Sequence, residues 1–345
     1  MEREHGDHGE EKPLSDHADV FTNSTPSVAV LLPVYNEAGT IDECLRSLTR
    51  QDYQGEWEII VADGGSTDRT KERLRSWQVR LPQLRVIANP HRLQSRGLNL
   101  AVQATAAEII TRADAHTTYQ ADYVSQSVQS LRSSGAAAVG GPMRPAGTTP
   151  FSRAVAAAYR SKLGIGPAPF HHTEEPTEGD TVYLGTMTRQ TYLDNGGMRT
   201  LPSRVAEDAD FYYRLRKRGG RILIDPLIVS TYHPRGTAGG LWRQFYRYGL
   251  GKADMLYLNG EFPSSRPLLP LMLVVALLAG ILLGLLASLW WPLVVVAGLW
   301  LLALIVGGRA RPLQIAAIAV MHIGYGTGLL RGLLRLPRSV RARVA

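Results

Sequence analysis

The sequence has a single cysteine, Cys44, among 345 residues. This excludes an internal disulfide framework and a four-thiolate zinc site, and it fits a reducing compartment. Cys44 lies in IDECLRSL, where apolar residues recur at helical spacing, so we expect it in the core. Residues 1–26 are polar and acidic and lack the apolar run of a signal peptide, which predicts a disordered N-terminal tail.

Two glycine-rich nucleotide motifs are also missing. No GxGxxG follows the first apolar strand, and GIGPAPF has Pro169 where the last glycine is required. YGLGKA imitates the end of a phosphate loop, but Tyr246 replaces its first glycine and Ala253 its Ser or Thr. A nicotinamide-binding enzyme and a P-loop enzyme are therefore not indicated.

The charge balance points to an anionic partner. The formal net charge is +8 and the isoelectric point about 9.7. Nucleic acid, phospholipid headgroups and a phosphorylated substrate all fit such a balance. Many of the arginines lie beside apolar C-terminal segments, where membrane lipid explains them, so we predict no nucleic-acid binding.

Residues 27–240 alternate between short apolar runs and helical segments, beginning VAVLLPV, TIDECLRSLTRQ, WEIIVAD. This order predicts βαβ units, and hence an α/β domain with a mostly parallel sheet. From Gly135 to Pro176 the pattern loosens into a Gly- and Pro-rich region. We expect strands again at TVYLGTMTRQ and RILIDPLIVSTYH, with the helix AEDADFYYRLRKRG between them.

Residues 267–331 have the composition of membrane helices. LLPLMLVVALLAGILLGLLASLWW is free of charge and exceeds the roughly 20 residues that a spanning helix needs. LVVVAGLWLLALIV predicts a return span, and Arg309 and Arg311 after it place that end in the cytoplasm by the positive-inside rule.

The third apolar segment, LQIAAIAVMHIGYGTGLL, is ambiguous. If it crosses the bilayer, five arginines that follow it end outside. It can also be a re-entrant or interfacial helix, so the sequence leaves two or three spans open. An amphipathic interface segment over 241–266 and a basic tail over 332–345 complete the predicted organisation.

Acidic residues follow three of the predicted strands. Glu37, Asp63 and Asp114 would lie together at one sheet edge, because successive parallel strands end there. Doubly wound sheets bind their ligands at this carboxyl-end edge. In RADAHTTY, Asp114 and His116 offer an oxygen and a nitrogen ligand for Mn²⁺ or Mg²⁺. Taken alone, this DxH pattern also fits a polar turn at a strand end.

Five motifs in order resemble the family 2 glycosyltransferases, which have a GT-A fold. They are LLPVYNEAGTIDECLRSL, IIVADGGSTDRT, SRGLNLA, RADAHTTY and AEDADFYYRLRKRG, and the resemblance covers Val28 to Ala253. Within the family, the sequence is most similar to membrane-attached bacterial glucosyltransferases of the succinoglycan exopolysaccharide type. The resemblance implies a nucleotide-sugar domain.

The resemblance also implies roles for individual residues. Asp114 and His116 would occupy the family's DxD position and hold Mn²⁺ or Mg²⁺ on the donor diphosphate, although histidine departs from the commonest pattern. Asp63 would accept a hydrogen bond from the uracil or ribose of a UDP-sugar. The donor-binding set implied in this way is Pro33, Tyr35, Glu37, Asp63, Arg96 and Asp114.

In AEDAD, the resemblance makes Asp208 the general base that takes the acceptor proton, with Glu207 beside it. Acidic residues in the first turn of a helix are also favoured by the helix dipole, so the position alone does not establish a catalytic role. One helix end can serve both purposes.

WRQFYRYG follows the QxxR-aromatic spacing of the family's processive synthases. Gln244, Arg247 and Tyr248 would then contact the acceptor or the departing diphosphate, with tyrosine where tryptophan is usual. A basic amphipathic helix that lies on the membrane explains the same residues equally well.

Together these features predict an inverting glycosyltransferase at the cytoplasmic face of a bacterial inner membrane. We expect a UDP-sugar donor and a lipid-linked saccharide or polysaccharide acceptor, because the catalytic domain is joined directly to membrane helices. Too few spans are present for a polymer channel, although a homo-oligomer or other polysaccharide-assembly subunits could supply more. The alternative is a non-catalytic membrane scaffold of such a complex.

Overall fold

The computed structural model describes residues 25–166, 169–260 and 268–335. The predicted disorder of the N-terminal tail and the basic tail from residue 336 therefore lie outside the described residues. The α/β domain begins with seven elements: β1 Val28–Val34, α1 Ile41–Leu48, β2 Trp57–Asp63, α2 Thr70–Arg80, β3 Leu84–Ala88, α3 Gln94–Gln103 and β4 Ile109–Arg112.

Strand β1 is buried on both faces because it lies in the middle of a covered sheet. Its alternate residues point to opposite sides: Val28, Val30 and Leu32 belong to one apolar cluster, and Ala29 and Leu31 to the other. Cys44 lies buried in the first of these clusters, as predicted from the helical spacing around it.

The first four strands run parallel, in the spatial order β3-β2-β1-β4. Further along the chain lie β5 Thr117–Tyr119, α4 Tyr123–Ser134, β6 Ala138–Gly141, β7 Arg144–Pro145, α5 Pro150–Tyr159, α6 Lys162–Ile165, β8 Thr177–Glu178, β9 Tyr183–Thr188, α7 Arg189–Asp194, α8 Glu207–Lys217, β10 Ile222–Ile224 and β11 Ser230–Tyr232.

The eight-stranded sheet continues from β4 as β9-β6-β10-β8, and β9 runs antiparallel to both of its neighbours. The α/β class is confirmed, but the sheet is mixed. A second sheet has the order β5-β11-β7. It supports the segment that follows Asp114, because Thr117 of β5 pairs with Tyr232 of β11.

Two details differ from the sequence prediction. The single strand expected at RILIDPLIVSTYH is two strands in different sheets, because Asp225 and Pro226 break it and proline cannot donate to a ladder. The Gly- and Pro-rich region contains helix α5, which starts at a capping box formed by Thr149 and Ser152 with Pro150 in its first turn.

Four helices follow in the described residues: α9 Ala238–Asn259, α10 Leu268–Ala287, α11 Trp291–Gly307 and α12 Pro312–Leu333. By length and composition, α10 and α12 could each cross a membrane, and α11 is a shorter apolar helix. Helix α10 is largely exposed, whereas α12 is 44% buried over its most apolar stretch. The two helices therefore have different surroundings.

Helix α12 packs along α9, and glycines allow the close approach. A Cβ on Gly328 would collide with the carbonyl of Tyr246, and a Cβ on Gly249 would collide with the carbonyl of Tyr325. Helix α9 in turn contacts the α/β domain, since Asp254 of α9 accepts a hydrogen bond from the Ser203 backbone at 2.6 Å. Both helices are thus attached to the α/β domain.

Candidate active site

The loops after β1 and β2 form one hydrogen-bonded unit. Val34 and Asp63 are register partners at the ends of these strands. The Asp63 carboxylate is buried and accepts from the backbone N–H and the hydroxyl of Ser66, at 3.1 and 2.6 Å. The Ser66 hydroxyl in turn accepts from the backbone N–H of Asn36 at 2.9 Å. Asp63 is therefore held rigidly at the sheet edge.

The other predicted donor-binding residues surround this unit to different degrees. Tyr35 is 44% exposed beside Gly64, and Pro33 lies two residues earlier in β1, near Gly97 of α3. Glu37 accepts from the hydroxyl of Thr40 at 2.7 Å, which fixes its side chain within its own loop. Arg96 is exposed on α3.

A second group of charges lies at the end of β4. The Nε and Nη2 atoms of Arg112 donate to the two carboxylate oxygens of Asp114, each at 3.2 Å. The remaining Nη1 atom of Arg112 lies 3.6 Å from Asp208 on α8. Burial alone would lower the pKa of Arg112, but Asp114 and Asp208 outweigh it and raise the pKa. Arg112 therefore remains a cation between two carboxylates.

Arg112 was not among the site residues predicted from the sequence. It is the last residue of an apolar strand, where an arginine is unusual in a buried sheet. An arginine at that position was the one indication in the sequence of a role for Arg112. Its contact with Asp208 depends on the placement of α8, which lies far along the chain.

His116 lies just beyond Asp114, against strand β11 and the histidine that follows it. The ring of His116 meets Tyr232 edge to face at 5.5 Å, and its carbonyl accepts from the His233 backbone at 3.2 Å. The Nε2 atom of His233 is buried without a hydrogen-bond partner in the described part of the chain. The residue whose backbone contacts the DxH segment therefore carries an imidazole nitrogen with no partner among the described residues.

No cluster of three His, Cys, Asp or Glu side chains suited to a metal exists among residues 25–166, 169–260 and 268–335. The oxygen of Asp114 and the nitrogen of His116 nevertheless suit Mn²⁺ or Mg²⁺ chemically. The protein residues thus fit part of a cation shell, which a diphosphate and water would complete. His233 was missed in the sequence because a histidine before a proline carries no metal-binding spacing.

Helix α8 starts at this same edge with two acidic residues in different environments. Ala206, the residue before the helix, has a positive φ of 64°, which turns the chain sharply into α8. The Asp208 side chain is 46% exposed, whereas Glu207 is only 7% exposed. Burial raises the pKa of Glu207 to about 7, with the charge of Asp208 adding to the increase and Arg112 and Arg247 opposing it. Asp208 is the more accessible of the two.

The buried state of Glu207 predicts a pH-dependent stability. Between about pH 4.5 and 7 the folded protein keeps a proton on Glu207 that the unfolded chain loses, so the free energy of unfolding falls as pH rises. We expect Glu207→Gln to be more stable than the native protein at pH 8, by about 1–3 kcal/mol. Thermal unfolding midpoints across pH will test this.

The gain in Glu207→Gln should vanish as the pH falls below 4.5, where both states hold the proton. Glu178→Gln is the matched control, because Glu178 is exposed and makes a surface pair with Arg221. A constant difference across pH in Glu207→Gln would contradict the assignment.

The three predicted residues of α9 do not converge on one point. Gln244 donates to the hydroxyls of Tyr232 and Tyr248, at 3.1 and 2.8 Å. Through Tyr232, Gln244 and Tyr248 are linked to His116. Arg247 instead donates to the carbonyl of Arg204 at 3.1 Å, in the loop before α8. It therefore faces the Glu207 side of the site.

The chain is similar in sequence to known glycosyltransferases. The profile of Glycosyl transferase family 2 matches residues 29–193. The chain is 32% identical over 328 residues to the succinoglycan biosynthesis protein ExoA of Rhizobium meliloti (strain 1021), covering 92% of this chain and 98% of that protein. It is 23% identical over 319 residues to a dolichyl N-acetyl-alpha-D-glucosaminyl phosphate 3-beta-D-2,3-diacetamido-2,3-dideoxy-beta-D-glucuronosyltransferase of Methanococcus voltae, covering 89% and 97%.

Among solved structures, the mannosyltransferase PcManGT from Pyrobaculum calidifontis, in complex with GDP-Man and Mn²⁺, superposes with a TM-score of 0.56. The match covers 90% of this chain and 88% of that one at 21% identity, which shows the fold alone. Since the family profile covers the strands that carry Asp63 and Asp114, and a 32% identical relative matches nearly end to end, the chain belongs to glycosyl transferase family 2 and is a GT-A-type enzyme.

Proposed function

We propose that the protein is an inverting transferase that moves a sugar from a UDP-sugar donor to a lipid-linked saccharide at the cytoplasmic face of the bacterial inner membrane. The observation that carries this proposal is the placement of Asp208 and Asp114 on opposite sides of Arg112. One arginine side chain separates the predicted general base from the predicted diphosphate end of the donor.

The proposed reaction is a single displacement. Asp208 accepts the proton of the acceptor hydroxyl while that oxygen attacks the anomeric carbon, and the bond from that carbon to the UDP oxygen breaks. The partial exposure of Asp208 leaves room for an acceptor. Asp63, with Tyr35 beside it, would bind the nucleoside.

Asp114 and His116 would hold a divalent cation, which when bound neutralises charge on the departing diphosphate. Arg112 supplies a permanent positive charge at the same edge. Gln244 and Tyr248 extend the site toward α9, where a saccharide ring could stack on the tyrosine. The scaffold alternative has no comparable use for these charges.

We also propose that α10 and α11 form a hairpin in the bilayer and that α12 lies in the membrane interface. The large exposed side chains of α10 are apolar, including Leu269, Met272 and Leu285, which is the surface that lipid covers. At the base of the hairpin, Ser161 of the catalytic domain donates to the carbonyl of Gly307 at 3.1 Å.

The packing of α12 supports this arrangement. His322 of α12 contacts the carbonyl of Leu163 in the catalytic domain at 2.9 Å, and Gly324, Gly328 and Gly332 of α12 lie against α9. A hairpin with an interfacial α12 keeps Arg331 and Arg335 on the same side as Arg309, in agreement with the positive-inside rule.

Cysteine accessibility tests this topology in a Cys44→Ala background. We expect Ser288→Cys, at the hairpin tip, to react with a membrane-impermeant maleimide added to intact spheroplasts. Ala310→Cys and Leu334→Cys should react only after permeabilisation. Reaction of Leu334→Cys from outside would establish a third span and overturn the interfacial placement.

The proposed reaction is tested with full-length protein in detergent, Mn²⁺ or Mg²⁺, bacterial lipid extract and a panel of radiolabelled donors. UDP-glucose, UDP-galactose, UDP-N-acetylglucosamine, UDP-glucuronic acid and GDP-mannose form the panel. We expect label from one UDP-sugar in the lipid phase, and its loss in Asp114→Ala. Transfer from GDP-mannose alone would refute the UDP assignment, and a silent panel with intact UDP binding would favour the scaffold.

A further inference from the structure

Arg112 contacts both carboxylates to which the proposed reaction assigns chemistry. Its Nε and Nη2 atoms face both oxygens of Asp114, and its Nη1 atom faces Asp208. The side chains of Arg112 and Asp114 are only 15% and 9% exposed. The pair is therefore shielded from solvent and much less screened than a surface ion pair.

Asp114 is thus already neutralised in the free protein. A two-point contact from a guanidinium is the strongest geometry that an arginine offers a carboxylate, and Gln94 adds a contact to Oδ1 at 3.4 Å. A divalent cation that approaches Asp114 without a diphosphate is repelled by the positive charge of Arg112 beside it. The repulsion is substantial because the site is partly buried.

A nucleoside diphosphate changes this balance. Its negative charges attract Arg112 and the cation together, so that both can share the site. A cation and a diphosphate should therefore bind with strong mutual coupling, and each should raise the affinity of the other.

We propose that Arg112 is a positioning residue that makes cation binding depend on the donor diphosphate. Its charge occupies Asp114 and Asp208 until the diphosphate arrives, so the free protein binds divalent cations weakly. This inference rests on the proposed function for the identity of the two carboxylates. It concerns binding, and it holds whichever sugar is transferred.

The test is Mn²⁺ affinity, measured by electron paramagnetic resonance on the full-length protein in detergent, with and without UDP. In the native protein we expect UDP to tighten Mn²⁺ binding by about tenfold or more. In Arg112→Met, which keeps the bulk of the side chain without its charge, we expect Mn²⁺ alone to bind about tenfold more tightly. The effect of UDP on Mn²⁺ affinity should shrink accordingly.

Two variants separate charge from structure. Arg112→Lys keeps the charge and should stay within about threefold of the native Mn²⁺ affinity. Arg85 of β3 pairs with Glu58 of β2 at 2.8 Å, away from Arg112. Arg85→Met therefore removes one positive charge at a distance and should leave Mn²⁺ affinity unchanged. UDP affinity and the unfolding midpoint report whether each variant is folded.

Weaker Mn²⁺ binding in Arg112→Met would mean that Arg112 orients Asp114 for the cation, and unchanged binding would mean that it has no role; either overturns the proposal. If Arg112→Met does not fold, the native protein still decides, because UDP that fails to tighten Mn²⁺ binding contradicts the coupling. Coupled binding in a protein that transfers no sugar would refute the proposed reaction and leave this inference standing.

Discussion

We expect Asp208→Asn to lose glycosyl transfer by about 10²–10⁴-fold, because an amide cannot take the acceptor proton. Asparagine keeps the shape of the side chain at the start of α8, so the fold should persist. UDP affinity should remain close to native, since the proposed reaction assigns Asp208 to the acceptor and Asp114, on the other side of Arg112, to the diphosphate. Label transfer into the lipid phase at saturating donor and a UDP titration measure the two quantities.

The matched control for this variant is Asp180→Asn. Asp180 is also a partly exposed carboxylate paired with an arginine, Arg216, at 3.4 Å, but it is not part of the group of charges at the end of β4. Its transfer rate should be native. If Asp208→Asn keeps more than about a tenth of native activity, Asp208 is not the base. Glu207 would then be the next candidate on the same helix.

The second large effect concerns stability. Asp210 is fully buried on α8 and accepts from Nε of Arg214 at 2.9 Å, with Arg199 and Asn259 also nearby. Asp210→Ala leaves the guanidinium of Arg214 buried without its anion, which costs about 3–5 kcal/mol. For a domain of this size, the thermal unfolding midpoint should fall by roughly 6–20 °C.

The paired variant Asp210→Leu with Arg214→Met is the control. It removes both charges and keeps much of the volume, so it should be far more stable than Asp210→Ala. If the pair is as unstable as the single variant, packing at this position and not the unpaired charge explains the loss. A single variant with a native midpoint would contradict the expectation outright.

Strand ends were the most predictable part of this protein. Apolar runs followed by Glu37, Asp63 and Asp114 indicated a sheet edge lined with carboxylates, and in the structure Asp63 ends β2 while Glu37 and Asp114 follow β1 and β4. Local patterns suffice here because parallel strands bring their carboxyl ends together. The start of α8 was also predictable from a local pattern, since acidic residues are favoured in the first turn of a helix.

Contacts between distant segments were not predictable. The link from Arg112 to Asp208 depends on how β4 and α8 are placed in space, and no periodicity reports it. The position of His233 next to His116 depends on the pairing of β11 with β5. The antiparallel position of β9 between β4 and β6 was not predicted, because an apolar strand does not reveal the direction of its neighbours.

The position of β9 also affects how the chain folds during synthesis. Ile109 of β4 pairs with Thr188 of β9, so one edge of β4 stays open until β9 has been made. At roughly 5–20 residues per second, that interval lasts roughly 4–16 s. During this time the ribosome holds an apolar sheet with a free edge, which is a template for aggregation. A chain that stops before β9 keeps that edge permanently, and chaperones would have to cover it.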